Sequence, residues 1–416
     1  MNDEKKITQS KEKEILGVYK SFQSNLASLK IFIDTFSPIT IEKDTNDAKE
    51  LTTLLTSTFS QIGVDLESKP EKGKESSNLG ITVTAEQMIF IAKQLQNVSK
   101  LSVAHTNILF QSSFVLLIGY FEYLFADLLK FYYKNFPGQI SDKPITVIIN
   151  ELKSYESLDE AIDHVIIKEV ETILFDLSFQ ELTNFFNKTL KIDLEEVFIS
   201  WEQLNEARER RHIIVHNNSI INKKYLNKSN ISNLPDKENL QLGKKVLVGS
   251  KYFKLIYNQI YIAGHLLIFN SWRQWVKNDT KTLIAEILNT TFESLKLELY
   301  DVSASISCYS KKIIPINDIE EDMLLRCRLN YCISLKYLEK NEELEKELKQ
   351  IKFSVLSPIF KVAYHCLRDD KSNVLSNLKN AKMVDQFKVE YLQEWPLFKL
   401  LRNDQEFMEN ALKELE

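Results

Sequence analysis

The sequence predicts an all-α protein of two or three domains. Glycine and proline are scarce, at 9 and 8 of 416 residues, whereas all-β and α/β folds use both in their turns. Long stretches without either residue repeat apolar side chains at helical spacing. The chain is 44% hydrophobic and 27% charged, a composition typical of a globular protein that buries a sizeable core.

The first predicted region, 1–99, is an N-terminal helical extension. Amphipathic patterns predict helices over 8–35 and 46–66, joined by TFSPITIEKDTND. A polar stretch over 67–80, rich in Lys, Glu and Ser, predicts a linker. A further helix is expected to start at Thr84.

The second predicted region, 100–279, is a helical bundle. Its first long helix covers 103–135 and ends at NFPG, because Pro137 and Gly138 break helices. The remaining elements are helices over 143–154, 158–175 and 178–189, one from about 194 into RERRHIIVH, a polar connection over 217–245, and a last helix over 249–278.

The third predicted region, 280–416, repeats a pattern of apolar residues, a short charged turn and a second amphipathic run. The three copies are YLEKNEELEKEL (337–348), CLRDDKSNVLSNL (366–378) and LLRNDQEFMENAL (400–412), with leucines 29 and 34 residues apart. This spacing predicts helical hairpins of tetratricopeptide type. The Trp-Leu-Gly signature of that repeat is missing, so the class of hairpin stays open.

Charge and cysteine content limit the binding partners and the cellular compartment that we expect for this protein. A net charge of −5 argues against general coating of nucleic acid but allows a local basic site. The four cysteines contain no CxxC pair, which is typical of a reducing cytosol. The apolar stretches 114–133 and 261–272 read as core helices, because each contains charged or histidine residues and the second is too short to span a membrane. The start has no apolar secretory segment, and we expect a cytoplasmic protein.

One segment, RERRHIIVHNNSIIN (208–222), concentrates arginines and histidines. On a regular helix Arg211 and His216 lie about 140° apart. We therefore expect the helix to end near Val215, so that His216 turns toward Arg211. Asn217 and Asn218 favour such an end, because asparagine tolerates the left-handed cap conformation.

These residue types suit cleavage of RNA through its own 2′-hydroxyl. Histidine moves protons near neutral pH, and the arginine fork stabilises phosphate oxygens. The candidate phosphate contacts are Lys223, Lys224, Lys228, Asn217 and Asn218. Glu206 is a candidate to orient an arginine or histidine, or to pair with Arg210 at i+4. No cofactor or metal ligand set is expected.

The same segment can also be interpreted as an ordinary charged helix without a catalytic role. An arginine and a histidine five residues apart occur often by chance, and Arg208, Arg210 and His212 also fit a solvated helix face. The remaining histidines, His105, His164, His265 and His365, are isolated in amphipathic stretches and are expected in the core or at its boundary.

The segment RRHIIVHNNSIINKKYL resembles the R-[polar]-x3-H motif of HEPN-domain ribonucleases, with Arg211, His212 and His216 at the three positions in order. The helix SFVLLIGYFEYLFADLL, with its embedded acid Glu122, is similar to the first helix of that family, and 249–278 to its last. The resemblance covers roughly 100–278.

The resemblance implies an α-helical, metal-independent endoribonuclease that leaves a cyclic phosphate. It implies a homodimer or larger even assembly in which two motifs face each other in one cleft, with His216 transferring protons, Arg211 stabilising the phosphate and His212 orienting. Many such proteins act as toxins in antiviral or abortive-infection defence. Glu122 is a weaker candidate near that cleft.

The two alternative functions are a non-catalytic scaffold and a nucleotide-dependent enzyme. A non-catalytic scaffold would dimerise through the central unit and recruit a protein through the C-terminal hairpins, which form concave binding surfaces in repeat proteins. A nucleotide-dependent enzyme has no support, because the sequence contains neither a phosphate-binding GxxxxGK[ST] loop nor a dinucleotide-binding fingerprint.

Overall fold

A computed structural model describes residues 2–61, 84–139, 155–192, 200–229, 231–232, 234, 236–352 and 356–415. The helices are α1 (Asn2–Gln61), α2 (Ala85–Leu101), α3 (His105–Asn135), α4 (Leu158–Asp176), α5 (Phe179–Lys188), α6 (Trp201–His216), α7 (Lys223–Lys228), α8 (Ser250–Trp275), α9 (Thr280–Lys296), α10 (Tyr300–Tyr309), α11 (Asp318–Tyr337), α12 (Asn341–Lys349), α13 (Pro358–Leu367), α14 (Lys371–Asp385), α15 (Val389–Glu394) and α16 (Gln405–Leu415). Extended pairing in these ranges is limited to one isolated bridge, Ile220 with Lys245. The all-α prediction is confirmed.

Most predicted helix positions agree with the structure. The helix α3 ends at Asn135, just before Pro137, as expected from the breaker pair. The predicted linker 67–80, the helix over 143–154 and the segment just after 194 lie outside the described residues. The polar connection after His216 contains the short helix α7, which periodicity does not reveal.

The break predicted in the first helix is wrong, because α1 runs through Pro38. A proline inside a helix removes one backbone hydrogen bond and costs about 3 kcal/mol. Buried side chains fix α1 before the proline, among them Leu26, Leu29 and Ile33. After the proline, Asp44 accepts hydrogen bonds from the backbone N–H groups of His105 and Thr106, both at 2.9 Å. These contacts on both sides offset the local cost.

The chain divides into two compact units that do not follow linear segments. The first contains Met1–Phe22, Phe121–Asn205 and Leu255–Glu416, and the second contains Gln23–Tyr120 and Glu206–Lys254. These boundaries differ from the predicted 1–99, 100–279 and 280–416, because α1, α3, α6 and α8 each supply residues to both units. Changes of composition along the sequence do not predict such a division, because each unit contains segments that are distant in sequence.

The first unit packs its long helices around aromatic side chains. Residues of α1 and α8 meet at His265, whose ring stacks on Tyr261 at 4.3 Å and lies 5.4 Å from Phe22 between ring centroids. Gly264 permits this approach, since a Cβ there would lie 2.2 Å from the Phe22 ring. The Tyr19 hydroxyl is 2.9 Å from that of Thr290, which ties α1 to α9.

Helical hairpins form the C-terminal part of the first unit, and their turns share one geometry. The central residues are left-handed, at Glu298 (φ 59°), Glu339 (φ 58°) and Asp369 (φ 59°). The residue after each donates its N–H to a carbonyl five positions earlier, at 2.9, 2.9 and 3.0 Å, which is the Schellman helix ending. The turns at Glu339 and Asp369 coincide with charged turns of the first two sequence repeats. The third repeat also contains a turn before a helix, α16. This turn follows the 3₁₀ helix Pro396–Phe398 and not an α-helix.

The second unit packs α3 and α8 through aromatic pairs. Phe110 lies 5.6 Å from Phe253, and Phe114 lies 5.6 Å from Tyr252, between ring centroids. Burial alone would raise the pKa of Asp44, but the hydrogen bonds from Thr106 and His105 outweigh burial and lower this pKa to about 2. The carboxylate therefore stays charged at the amino end of α3, where it is favoured.

Among the described helices, α3 is long and apolar enough to cross a membrane, and half of its most apolar window is buried inside the fold. A core helix of a globular protein satisfies the same criteria of length and composition. Phe114, Leu117 and Leu128 of this helix are fully buried, as the core interpretation of 114–133 requires.

Candidate active site

The helix α6 carries the arginine–histidine motif and has two distinct faces. Ala207 and Ile213 are buried and fix the helix in the second unit, which holds it from residue 206 onward. His212, Val215 and His216 are exposed. The motif histidines therefore lie on the solvent side of a helix whose other side is anchored.

The helix ends one residue later than expected, at His216. Asn217 still donates its N–H to the Ile213 carbonyl at 2.9 Å, and Ser219 donates to the same carbonyl at 3.0 Å. Asn218 and Ser219 are both left-handed, with φ of 48° and 62°. The asparagine cap is thus present, but the helix does not end at Val215, and the expectation that His216 turns toward Arg211 is wrong.

Because the helix continues, His216 lies beside His212 and not beside Arg211. The two imidazole centroids are 4.9 Å apart, with an interplanar angle of 47°, as expected for residues one turn apart on the same face. Arg211 is half-buried, and the helix places it about 140° from His216. The structure therefore pairs the two histidines.

Charged side chains of both signs influence His212. Partial burial and the neighbouring His216 lower the pKa of His212, Lys224 and Arg211 lower it further, and Glu209 acts in the opposite sense. A lowered pKa keeps this imidazole neutral and able to accept a proton at neutral pH. The motif thus combines a neutral histidine with nearby positive charge.

The predicted phosphate contacts differ in their surroundings. Lys223 and Lys224 are exposed at the start of α7, whose first turn is capped by Asn222. Lys228 is also exposed but lies 3.5 Å from Glu209. Asn217 donates through its side-chain amide to the Ile220 carbonyl at 2.6 Å, whereas Asn218 is exposed. Lys223 and Lys224 are therefore the clearest candidates for phosphate contacts.

The loop that follows the motif is fixed by backbone pairing. Ile221 donates to the Lys244 carbonyl at 2.9 Å, Gly243 donates to Ile221 at 2.9 Å, and Val246 donates to Ser219 at 2.8 Å. Gly243 has φ 79°, a conformation that glycine adopts at little cost. This pairing holds the end of α6 in place.

A buried charged network lies on the same helix, directly before the motif. Arg210 and Glu206 are fully buried, and the Arg210 Nε donates to Glu206 at 2.8 Å. A second guanidinium nitrogen donates to Asp236 at 2.8 Å and to the Leu247 carbonyl at 3.1 Å. The pairing predicted for Glu206 at i+4 is present, but Arg210 is not on a solvated face.

Two tyrosines complete this network. The hydroxyls of Tyr225 and Tyr252 donate to the Glu206 carboxylate, and the Arg210 guanidinium lies 3.6 Å from the centre of the Tyr252 ring. Burial raises the pKa of both tyrosines, so both remain donors. Burial alone would lower the pKa of Arg210, but its phenolic and acidic neighbours outweigh burial and raise it.

The sequence contains little signal for this network. The Glu206–Arg210 spacing is visible, but Tyr225, Asp236 and Tyr252 are distributed over the following segments. Glu122, the other predicted supporting acid, is a half-buried residue of α3 in the first unit. The unit that holds the motif therefore does not include Glu122.

Metal ligands are sparse in the part of the chain that the structure describes. No group of three or more His, Cys, Asp or Glu side chains there could hold an ion. The spacing His212-x3-His216 is also a spacing at which two histidines of one helix bind a metal ion.

Comparison with known proteins gives no relative: no protein-family model, no curated protein and no solved structure matches this chain. The interpretation of the site therefore depends on its residues, their geometry and the motif resemblance.

Proposed function

We propose that this protein is a metal-independent endoribonuclease of the HEPN type, which cleaves RNA by attack of the 2′-hydroxyl on the adjacent phosphate. The observation that supports it best is the exposed His212–His216 pair, with centroids 4.9 Å apart, at an anchored helix end that also carries the half-buried Arg211. Proton transfer and phosphate stabilisation require those groups.

The proposed roles follow from the surroundings of each group. His216 transfers a proton at the reacting oxygen atoms, and Arg211 stabilises the negative charge that develops on the phosphorane. His212 orients the substrate and, since its pKa is lowered, also offers a neutral nitrogen beside His216. Two adjacent imidazoles can supply both an acid and a base.

Substrate binding is assigned to the start of α7. Lys223 and Lys224 are exposed, and Lys224 is close enough to influence the pKa of His212. Lysine side chains in this position would neutralise phosphates on either side of the cleaved bond. Single-stranded RNA fits this site best, because its 2′-hydroxyl and phosphate can reach an in-line geometry.

The biochemical test uses purified, nuclease-free protein with RNA in the presence of a chelator. We expect cleavage with 2′,3′-cyclic phosphate ends, and its loss in His216→Ala and in Arg211→Ala. Removal of a general acid–base group typically lowers the rate by about 10² to 10⁴. His164→Ala is the matched control, because His164 is a partly exposed histidine on α4 outside the motif.

Two results would contradict the proposed chemistry. One is equal cleavage by the wild type and both motif variants, and the other is a strict Mg²⁺ requirement with 3′-hydroxyl ends. The resemblance also favours a role as a toxin in antiviral or abortive-infection defence, in which cleavage of host RNA would arrest growth.

We further propose that the active species is a homodimer or a larger even assembly. The unit that carries the motif exposes large apolar side chains on α3, α6 and the loop after α7: Ile108, Leu116, Val215, Leu242 and Leu247. A two-fold interface that covered these side chains would remove them from water, and two-fold symmetry brings identical surfaces together. A second motif would add a further arginine and imidazole pair to the cleft.

Mixing experiments test the shared cleft. When wild type is mixed with His216→Ala chains and allowed to exchange, activity should depend non-linearly on the fraction of wild type. Independent protomers would give a straight line. A protein that is monomeric by light scattering at micromolar concentration and cleaves at its full rate would refute the dimer.

The alternative function is a helical scaffold that recruits a partner protein. The observation that favours it is a set of exposed apolar side chains around the C-terminal hairpins: Ile314, Ile316, Ile319, Met383 and Val384. Under this alternative, Ile316→Lys with Met383→Lys removes partner binding, and the motif variants have no effect on RNA.

A further inference from the structure

We infer that His212 and His216 form a two-ligand binding site for Zn²⁺, and that occupation of this site inhibits the proposed ribonuclease. The binding claim depends only on the geometry of α6, whereas the inhibition rests on the proposed function. The two claims are therefore tested by separate measurements.

The distance between the rings fits a shared metal ion. Two imidazoles bound tetrahedrally to one Zn²⁺ through bonds of about 2.1 Å have ring centroids about 5 Å apart. The His212 and His216 centroids are 4.9 Å apart. Both side chains are exposed, so an ion reaches them without any movement of the core.

The spacing and the rigidity of the helix also favour this site. Histidines at i and i+4 project from one helix face and are a recurrent zinc-binding pair. The backbone of α6 is regular through His216, and the hydrogen bonds of Asn217 and Ser219 to Ile213 close its last turn. The two ligands are therefore held side by side before the ion arrives.

The surrounding charges set the expected strength. Lys224 and Arg211 place positive charge near His212 and oppose a cation, whereas Glu209 favours it. Among the described residues two ligands lie at this position, so water would occupy the remaining positions of the ion. We therefore expect exchangeable binding, weaker than that of a structural zinc site with four protein ligands.

Inhibition follows from the same contact. The lone pair that a ring nitrogen donates to Zn²⁺ is no longer available to accept a proton. A bound ion also covers the exposed side of α6, where the proposed substrate lies. Addition of zinc should stop cleavage, and a chelator should restore it.

The binding test is titration calorimetry of the full-length protein with zinc chloride, after removal of any histidine tag. Wild type and His164→Ala should bind about one ion per chain at the pair. Loss of even an outer-shell partner of a metal ligand costs about 10- to 100-fold in affinity. His212→Ala and His216→Ala, which each remove a ligand, should therefore lose at least that much.

Lys224→Ala should change the zinc affinity in the opposite direction, because removal of a nearby positive charge should tighten zinc binding severalfold. Unchanged zinc affinity in both histidine variants, or weaker binding in Lys224→Ala, would overturn the site. If the protein binds zinc through the pair but cleaves no RNA, the metal site stands and the ribonuclease proposal fails. If zinc binds through the pair and leaves cleavage at its full rate, the inhibition is refuted.

Discussion

The helix α6 carries two charged groups that differ in almost every physical respect. Glu206 and Arg210 are fully buried and bound to each other, to Asp236 and to two tyrosines. One turn later, His212 and His216 are exposed on the same helix. The difference separates residues that hold the helix from residues that can meet a ligand.

Burial explains this division of roles. A desolvated ion pair is stable only when its hydrogen-bonding capacity is satisfied by neighbours, and Glu206 accepts bonds from Arg210, Tyr225 and Tyr252. Such a group has little capacity left for substrate. Exposed imidazoles keep theirs, so the proposed chemistry is placed at the end of the helix, and the buried network holds that end in position.

The largest expected effect comes from the buried group. Glu206→Ala leaves two tyrosine hydroxyls without their acceptor and Arg210 without one of its two carboxylates. Removal of one partner from a buried ion pair typically costs about 3–5 kcal/mol. Chemical unfolding should show that decrease in the free energy of unfolding.

Glu209→Ala is the matched control for this prediction. Glu209 is an acid on the same helix that lies 3.5 Å from a lysine, Lys228, whose side chain is half exposed. The Glu209 side chain is 18% exposed and its partner stays half solvated. Because a solvated partner weakens an ion pair to about 0–1 kcal/mol, this variant should lose much less stability than Glu206→Ala. Equal destabilisation by both substitutions would contradict the distinction between the two groups.

The sequence predicts the helices and the motif better than the contacts between them. The end of α3 before Pro137 and the charged hairpin turns at Glu339 and Asp369 are local signals, and the structure shows them. The continuity of α1 through Pro38 depends on tertiary contacts, which outweigh a local breaker.

The same limit applies at the candidate site. The asparagine cap after α6 is a local property and is present at Asn218. The burial of Arg210 depends on Asp236 and Tyr252, residues distant in sequence, so composition assigns it to the surface. A difference of one residue at the helix end decides which side chain faces His216, and helix boundaries are the least predictable feature of a pattern.

A second prediction concerns the buried histidine of α8. Burial lowers the pKa of His265 from 6.5 to about 4, within the aromatic cluster of Tyr261 and Phe22. Above pH 6.5 the residue is neutral in both states and contributes no pH dependence. Between pH 6.5 and about 4 the unfolded chain binds a proton that the folded chain does not, so stability falls as pH falls.

The size of this effect is about 3 kcal/mol, from about 1.4 kcal/mol for each unit of pKa difference. It is measured as the free energy of unfolding between pH 7 and pH 4 for the wild type and for His265→Phe. The variant should lose most of this pH dependence. An unchanged slope in His265→Phe would show that other groups control acid stability.

The smallest expected effect is on RNA binding by the exposed lysines. Lys224→Ala should weaken binding by His216→Ala protein, which binds without cleaving, and should reduce the salt dependence by about one phosphate contact. Lys228→Ala should have less effect, because Lys228 lies near Glu209. Fluorescence anisotropy at several salt concentrations measures both the affinity and its salt dependence. If the His216→Ala protein has the same salt dependence alone, with Lys224→Ala and with Lys228→Ala, Lys224 does not contact the RNA.

The central claim, that the exposed end of α6 cuts RNA, is tested most directly by sequencing RNA ends after induced expression of the wild type beside His216→Ala. We predict new internal ends with cyclic phosphates in cells that express the wild type. These ends should be missing with His216→Ala at the same level of folded protein. The same set of ends from both proteins, or none from either, would contradict the account.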